Sequence, residues 1–68
     1  MIRILLNGAP LDISSGTSLF DFLTTHYGPE LKGIAVAING SLARRTTWTD
    51  RILQADDELE VLHAVAGG

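Results

Sequence analysis

Two Asn-Gly dipeptides, Asn7-Gly8 and Asn39-Gly40, restrict the folding of this chain more than any other feature. Each follows a short apolar run, Ile4-Leu5-Leu6 in the first case and Val36-Ala37-Ile38 in the second. Asn-Gly supplies the two positive-φ positions of a type I′ turn, whose twist matches that of paired strands. Two β-hairpins are therefore predicted. Sixty-eight residues leave room for one small domain around them. Hydrophobic residues make up 46% of the chain and charged residues 19%, with a net charge of −3, which is too apolar and too weakly charged for a disordered segment. The chain has no cysteine. A disulfide framework, a thiolate zinc site and a cysteine nucleophile are all excluded, and the core must be stabilised by burial alone.

The first hairpin joins Arg3–Leu6 to Leu11-Asp12-Ile13, and Pro10 early in its second strand suits a sheet edge. Ser14-Ser15-Gly16 reads as a turn into a helix. Ser18 with Asp21 three residues on resembles a capping box, and Thr17 is the alternative cap. Leu19, Leu23 and Tyr27 recur at helical spacing with Phe20 and Phe22 beside them. Gly28-Pro29 ends the helix, with Gly28 as a left-handed cap. The second hairpin joins Ile34–Ile38 to a short return strand, Leu42–Arg45. Thr46–Asp50 is a connection leading into a single turn through Ile52-Leu53, and Asp56-Asp57 is a turn. Glu58–Val65 is the last strand, with Leu59, Val61, His63 and Val65 on one face and Glu58, Glu60, Leu62 and Ala64 on the other. The pattern is α+β: one main helix packed across one face of a mixed sheet of about five strands. The first and last strands are expected side by side at its centre. Residues 1–65 form the domain, and Ala66-Gly67-Gly68, with little to pack, is expected as a flexible tail.

Nucleic acid is an unsuitable partner, because the pI is near 5.0 and of the five basic residues only Arg44 and Arg45 are adjacent. No apolar run approaches the ~20 residues of a membrane span, and the N-terminal segment does not read as a signal peptide. A soluble, cytoplasmic protein is expected. His26 and His63 stand without a matching carboxylate pattern, so no metal site is expected.

The order of elements and the closing Gly67-Gly68 resemble the β-grasp, ubiquitin-like fold, and within it the sulfur carrier proteins of thiamine biosynthesis, the ThiS family. The resemblance runs nearly end to end. It rests on Asn7-Gly8, on Val36-Ala37-Ile38-Asn39-Gly40, on Arg45 with Trp48 three residues later, on Leu53, Asp57 and Leu59-Glu60-Val61, and on Ala64-Val65-Ala66-Gly67-Gly68. Two positions depart from it. Asp56 stands where the family usually has Gly, and Asp tolerates a left-handed backbone better than most residues. Arg44 stands where the family often has Pro.

The resemblance implies a carrier and co-substrate, not an enzyme. An E1-like adenylyltransferase of the ThiF type would adenylate the Gly68 carboxylate with ATP. A cysteine desulfurase or other persulfide donor would supply sulfur to form a thiocarboxylate. Thiazole synthase of the ThiG type would accept that sulfur for thiamine. The chain itself would bind no cofactor, since Asn7-Gly8 and Asn39-Gly40 lack the surrounding residues of a phosphate loop. The chemistry suits the tail. Adenylation gives a carboxylate a good leaving group, and Ala66, Gly67 and Gly68 offer little side-chain bulk to a narrow active site. An extended tail of about four residues reaches ~13 Å. Alternatives with the same fold are a carrier for molybdopterin or cysteine synthesis, a ubiquitin-like protein modifier, and a structural β-grasp binding module.

A docking face has two sets of candidates. Asp56, Asp57, Glu58 and Glu60 form an acidic cluster, read either as a solvated turn and face or as electrostatic docking to basic partner surfaces. Leu5, Leu62 and Ala64 form an apolar patch if they fall on the sheet face away from the helix, which depends on strand phase. Trp48 is expected to pack at the sheet margin and His63 to be a partly buried strand histidine.

Overall fold

The computed structural model describes residues 1–63. Expectations for Ala64, Val65, Ala66, Gly67 and Gly68 lie outside the described residues. The elements in chain order are β1 (Ile2–Leu6), β2 (Ala9–Ile13), α1 (Leu19–Tyr27), β3 (Ile34–Ile38), β4 (Ser41–Ala43), a 3-10 turn (Arg45–Thr47) and β5 (Glu58–His63). They build one five-stranded mixed sheet in the order β2-β1-β5-β3-β4. β5 is central and runs parallel to β1 and antiparallel to β3, and both hairpins are antiparallel. The expected pairing of first and last strands is present.

Both hairpins turn on the predicted residues. Asn7 and Gly8 have φ of 50° and 86°, and Asn39 and Gly40 have 52° and 84°, the paired positive values of a type I′ turn. Pro10 lies on β2, an edge strand, where no ladder partner needs its missing N–H.

Ser18 is the N-cap of α1, its Oγ accepting the Asp21 N–H at 3.0 Å. Leu19, Phe22 and Leu23 face inward, Tyr27 is half-buried, and Phe20 turns outward. The buried stripe thus follows Phe22 as well as the Leu19–Leu23 line. Gly28 closes the helix by donating its N–H to the Thr24 carbonyl at 3.0 Å. Its φ of 87° with ψ of 171° lies outside the left-handed helical region that was expected, in a region open essentially only to glycine.

The core lies between α1 and one sheet face. Ile4, Ile13, Val36, Ile38, Leu59 and Val61 come from the sheet, and Leu31, Trp48 and Leu53 from the connections. Three expectations for the second half change. The return strand stops at Ala43, and Arg45 opens the 3-10 turn instead of continuing the strand. Thr47 folds back to the Arg44 carbonyl through both its N–H (2.9 Å) and its Oγ1 (2.6 Å), which closes that turn. Ile52 and Leu53 form no helical turn. Leu19 N–H donates to the Arg51 carbonyl and Leu53 N–H to the Thr17 carbonyl, which ties the start of α1 to this connector around a Ser18–Ile52 bridge. Trp48 packs against the sheet margin as expected, at the edge strand β4: it is 1% exposed, and its Nε1–H reaches the Ala43 carbonyl at 2.9 Å. Its burial is balanced by that bond, because an indole needs a partner for one N–H only. His63, expected to be partly buried, is instead exposed, because it lies at the end of β5 beyond the reach of β1, with its ring edge-on to Tyr27 at 6.5 Å.

Candidate functional site

Residues paired across strands share a face. The pairs Leu5↔Glu58, Ala37↔Glu60, Ala35↔Leu62 and Ala37↔Leu42 therefore put Leu5, Glu58, Glu60, Leu62, Ala35, Ala37 and Leu42 together on the face away from the helix. Leu62 and Leu42 are 72% and 73% exposed. Between them the small side chains of Ala35 and Ala37 leave a depression of about 90 Å³, which Glu60 also lines. Leu5 is half-buried beside exposed Glu58. The result is an apolar strip with carboxylates along the central strand. Leu5, Leu62, Glu58 and Glu60 are brought together, and Ala64 lies outside the described residues. Leu42, Ala35 and Ala37 complete the strip and were not singled out from sequence. The alternation of β3 and the turn at Asn39-Gly40 carry the signal for them.

On the far side of this face Arg3 holds Asp12 across β1 and β2, Nε to Oδ1 at 2.8 Å and Nη2 to Oδ2 at 3.3 Å. The hydrogen bond from Arg3 holds the Asp12 carboxyl below the ordinary carboxylate range, and the same bond raises the Arg3 guanidinium.

The acidic cluster divides. Asp56 is exposed with φ of 70°, the left-handed backbone foreseen for it. Asp57 is 6% exposed and turned inward. Its carboxylate accepts the Gln54 N–H at 2.8 Å, Asn39 Nδ2–H at 3.1 Å and Arg51 Nη2–H at 3.4 Å. This carboxylate braces the turn into β5 and is set apart from the exposed acids of the face.

The turn asparagines do more than supply positive φ. β1 and β5 form a parallel ladder in which Leu5 N–H donates to Asp57 C=O at 2.9 Å and Asn7 N–H to Leu59 C=O at 2.8 Å. The next rung would run from Val61 N–H to the Asn7 carbonyl, which the turn has carried away. The Asn7 side chain takes its place: Oδ1 accepts the Val61 N–H at 2.8 Å, and Nδ2 donates to the Val61 carbonyl at 3.4 Å. Asn39 repeats the device on the other side. Its N–H donates to Glu58 C=O at 2.8 Å, and its Oδ1, in place of its own carbonyl, accepts the Glu58 N–H at 3.0 Å. Each asparagine thus clasps the central strand, one at its start and one near its end. Sequence reading took both for turn residues. The recurrence of Asn, where Asp or Gly also suits such a turn, is the signal that was available.

Among the described residues no helix is long and apolar enough to cross a membrane. No three His, Asp or Glu side chains there come together as a metal site.

Comparison with known proteins gives a consistent picture. The crystal structure of a thiamine biosynthesis protein (ThiS) from Geobacter metallireducens superimposes with a TM-score of 0.82 at 19% identity, covering 98% of this chain and 100% of the other. A solution structure of a thiamine biosynthesis protein from the same organism gives 0.79 at 20% identity, over 98% and 88%. The fold is therefore the β-grasp. A thiazole synthase of Magnetococcus marinus is 37% identical over 68 residues, and this chain spans only 20% of that protein's length. The ThiS family profile matches residues 4–68, nearly the whole sequence, and the chain belongs to the ThiS family.

Proposed function

We propose that the chain carries sulfur on its C-terminal carboxylate and delivers it for thiazole formation in thiamine biosynthesis. The carrying observation is the similarity to one fifth of a thiazole synthase: a segment like this one occurs in the same polypeptide as the enzyme that would receive its sulfur. This favours the thiazole route over carriers for molybdopterin or cysteine synthesis.

In this reading the Gly68 carboxylate attacks the α-phosphorus of ATP on a ThiF-type E1-like enzyme, releasing pyrophosphate. The acyl-adenylate then accepts sulfur from a persulfide on a cysteine desulfurase, with AMP as the leaving group. A thiol cleaves the resulting acyl disulfide and leaves the thiocarboxylate, which passes to a ThiG-type thiazole synthase. ATP belongs to the activating enzyme. The carrier's own part is recognition and delivery. The strip of Leu5, Leu42 and Leu62 with Glu58 and Glu60 is the docking face, and Asp56 flanks it at the turn. Apolar contact supplies affinity, and the carboxylates steer the face onto a basic partner surface. The tail Ala66-Gly67-Gly68 enters the partner's site.

The test is the intact mass of the protein after incubation with ATP, cysteine, a desulfurase and the activating enzyme. One oxygen replaced by sulfur at Gly68 is expected. An unchanged mass with demonstrably active enzymes would contradict the reading.

A further inference from the structure

We propose that Asn7 is a positioning residue for the sulfur-transfer reaction: its side chain fixes the β1 side of β5 at Val61, close before the end of the described strand and the reacting terminus that follows in the sequence. The inference rests on the reading that Gly68 is the reacting residue. It starts from an asymmetry in how β5 is held. Up to Leu59 the strand is paired on both sides, with β1 and with β3. Beyond Leu59 β1 has ended, while β3 continues alongside through Ala35↔Leu62 and Ile34↔His63.

Successive residues of a strand present their backbone groups to alternate sides. Glu58 bonds toward β3 through Asn39, so Glu60 and Leu62 face β3 as well, whereas Leu59 and Val61 face β1. Val61 would have both backbone groups open on that side. Asn7 occupies it, joined to N–H and C=O at once. It is the last described contact on the β1 side before the chain proceeds past His63.

A terminus that must reach another protein's active site gains from a fixed point of departure, because small misplacement of a reacting group is costly. The docking face does not require this clasp, since Glu60 and Leu62 remain paired with Ala37 and Ala35 of β3. Loss of the Asn7 side chain therefore acts on turnover after docking and leaves docking itself intact.

Asn7→Gly is the direct probe, because Gly keeps the positive φ of 50° and removes only the clasp. Asn39→Gly is the control: the same turn type and a side-chain clasp at the opposite end of β5, with the loss of the Nδ2–H bond to Asp57 in addition, which makes it the more demanding test of a pure stability effect. In steady-state thiocarboxylation with the activating enzyme, Asn7→Gly is expected to lower kcat about tenfold with KM within about twofold. Asn39→Gly is expected to stay within about twofold in kcat. Asn7→Asp keeps an oxygen for the Val61 N–H and is expected to recover part of the loss. Amide exchange followed by NMR should show Val61 deprotected in Asn7→Gly and protected in Asn39→Gly. Equal losses of kcat in the two glycine variants would reduce Asn7 to a stability role and overturn the proposal. Unchanged kcat in Asn7→Gly with Val61 deprotected would also overturn it. A wild-type protein that gains no thiocarboxylate fails one step earlier and removes the underlying reading together with this one.

Discussion

Asp57 and Asp56 are neighbours in the chain and do unrelated work. The Asp57 carboxylate takes three hydrogen bonds in a buried position, so its removal strands the Gln54 N–H and leaves Arg51 without its counter-charge. Asp57→Ala should cost about 2–3 kcal/mol in urea denaturation, with Asp57→Asn costing less because one acceptor oxygen remains. Asp56 holds a φ of 70°. Asp56→Val should lose about 1–2 kcal/mol from strain at that backbone position, and Asp56→Gly should be neutral or slightly stabilising. The turn at Asp56-Asp57 was legible in the sequence, because turn chemistry is local, and the positive φ at Asp56 was foreseen from the resemblance to a family that usually has Gly there. The inward aim of Asp57 was not, because a run of acidic residues shows charge and not direction. The same limit hid the amide ends of Asn7 and Asn39. Their backbone role is written in the dipeptide, while their side-chain partners lie 54 and 19 residues away in β5.

Elements defined by short-range signals were read well. Asn-Gly turns, the Ser18 cap and the alternation of β3 each depend on a few adjacent residues. Ser18→Ala should destabilise the protein by about 1 kcal/mol, measured as a shift in the urea midpoint without a change in slope. The connector after β4 was read poorly because distant contacts shape it. Arg45 Nη1–H donates to the Leu31 carbonyl at 3.1 Å, and Leu53 N–H donates to the Thr17 carbonyl at 2.9 Å. None of these contacts leaves a periodic pattern in residues 44–53. The β1–β2 hairpin carries its own pH dependence. The Asp12 carboxyl is held below its ordinary value by the hydrogen bond from Arg3. The pair therefore contributes stability above the unfolded Asp value, ~3.9, and that contribution is lost as pH falls through the lower folded value. Asp12→Asn should flatten the acid limb of a melting-temperature profile slightly, since both side chains are well exposed.

For the whole molecule, the sheet has two unlike faces. One is covered by α1 and holds the core, and the other is a strip of exposed leucines and carboxylates along β5. A solvent-facing substitution on the strip leaves the core intact. Leu62→Asp and Glu60→Lys should therefore keep the melting temperature near wild type while raising KM for the activating enzyme about tenfold or more. The two-faced sheet was legible from strand alternation, and its partner chemistry came only from the family resemblance, since the tail glycines have no side chains to read. The central claim concerns that tail, and intact mass spectrometry addresses it most directly. After incubation with ATP, cysteine, a desulfurase and a ThiF-type enzyme, the protein should carry one sulfur in place of one oxygen, localised to Gly68 by fragmentation. A protein lacking Gly68 should remain unmodified. Sulfur found elsewhere on the chain, or no mass change with active enzymes, would contradict the account.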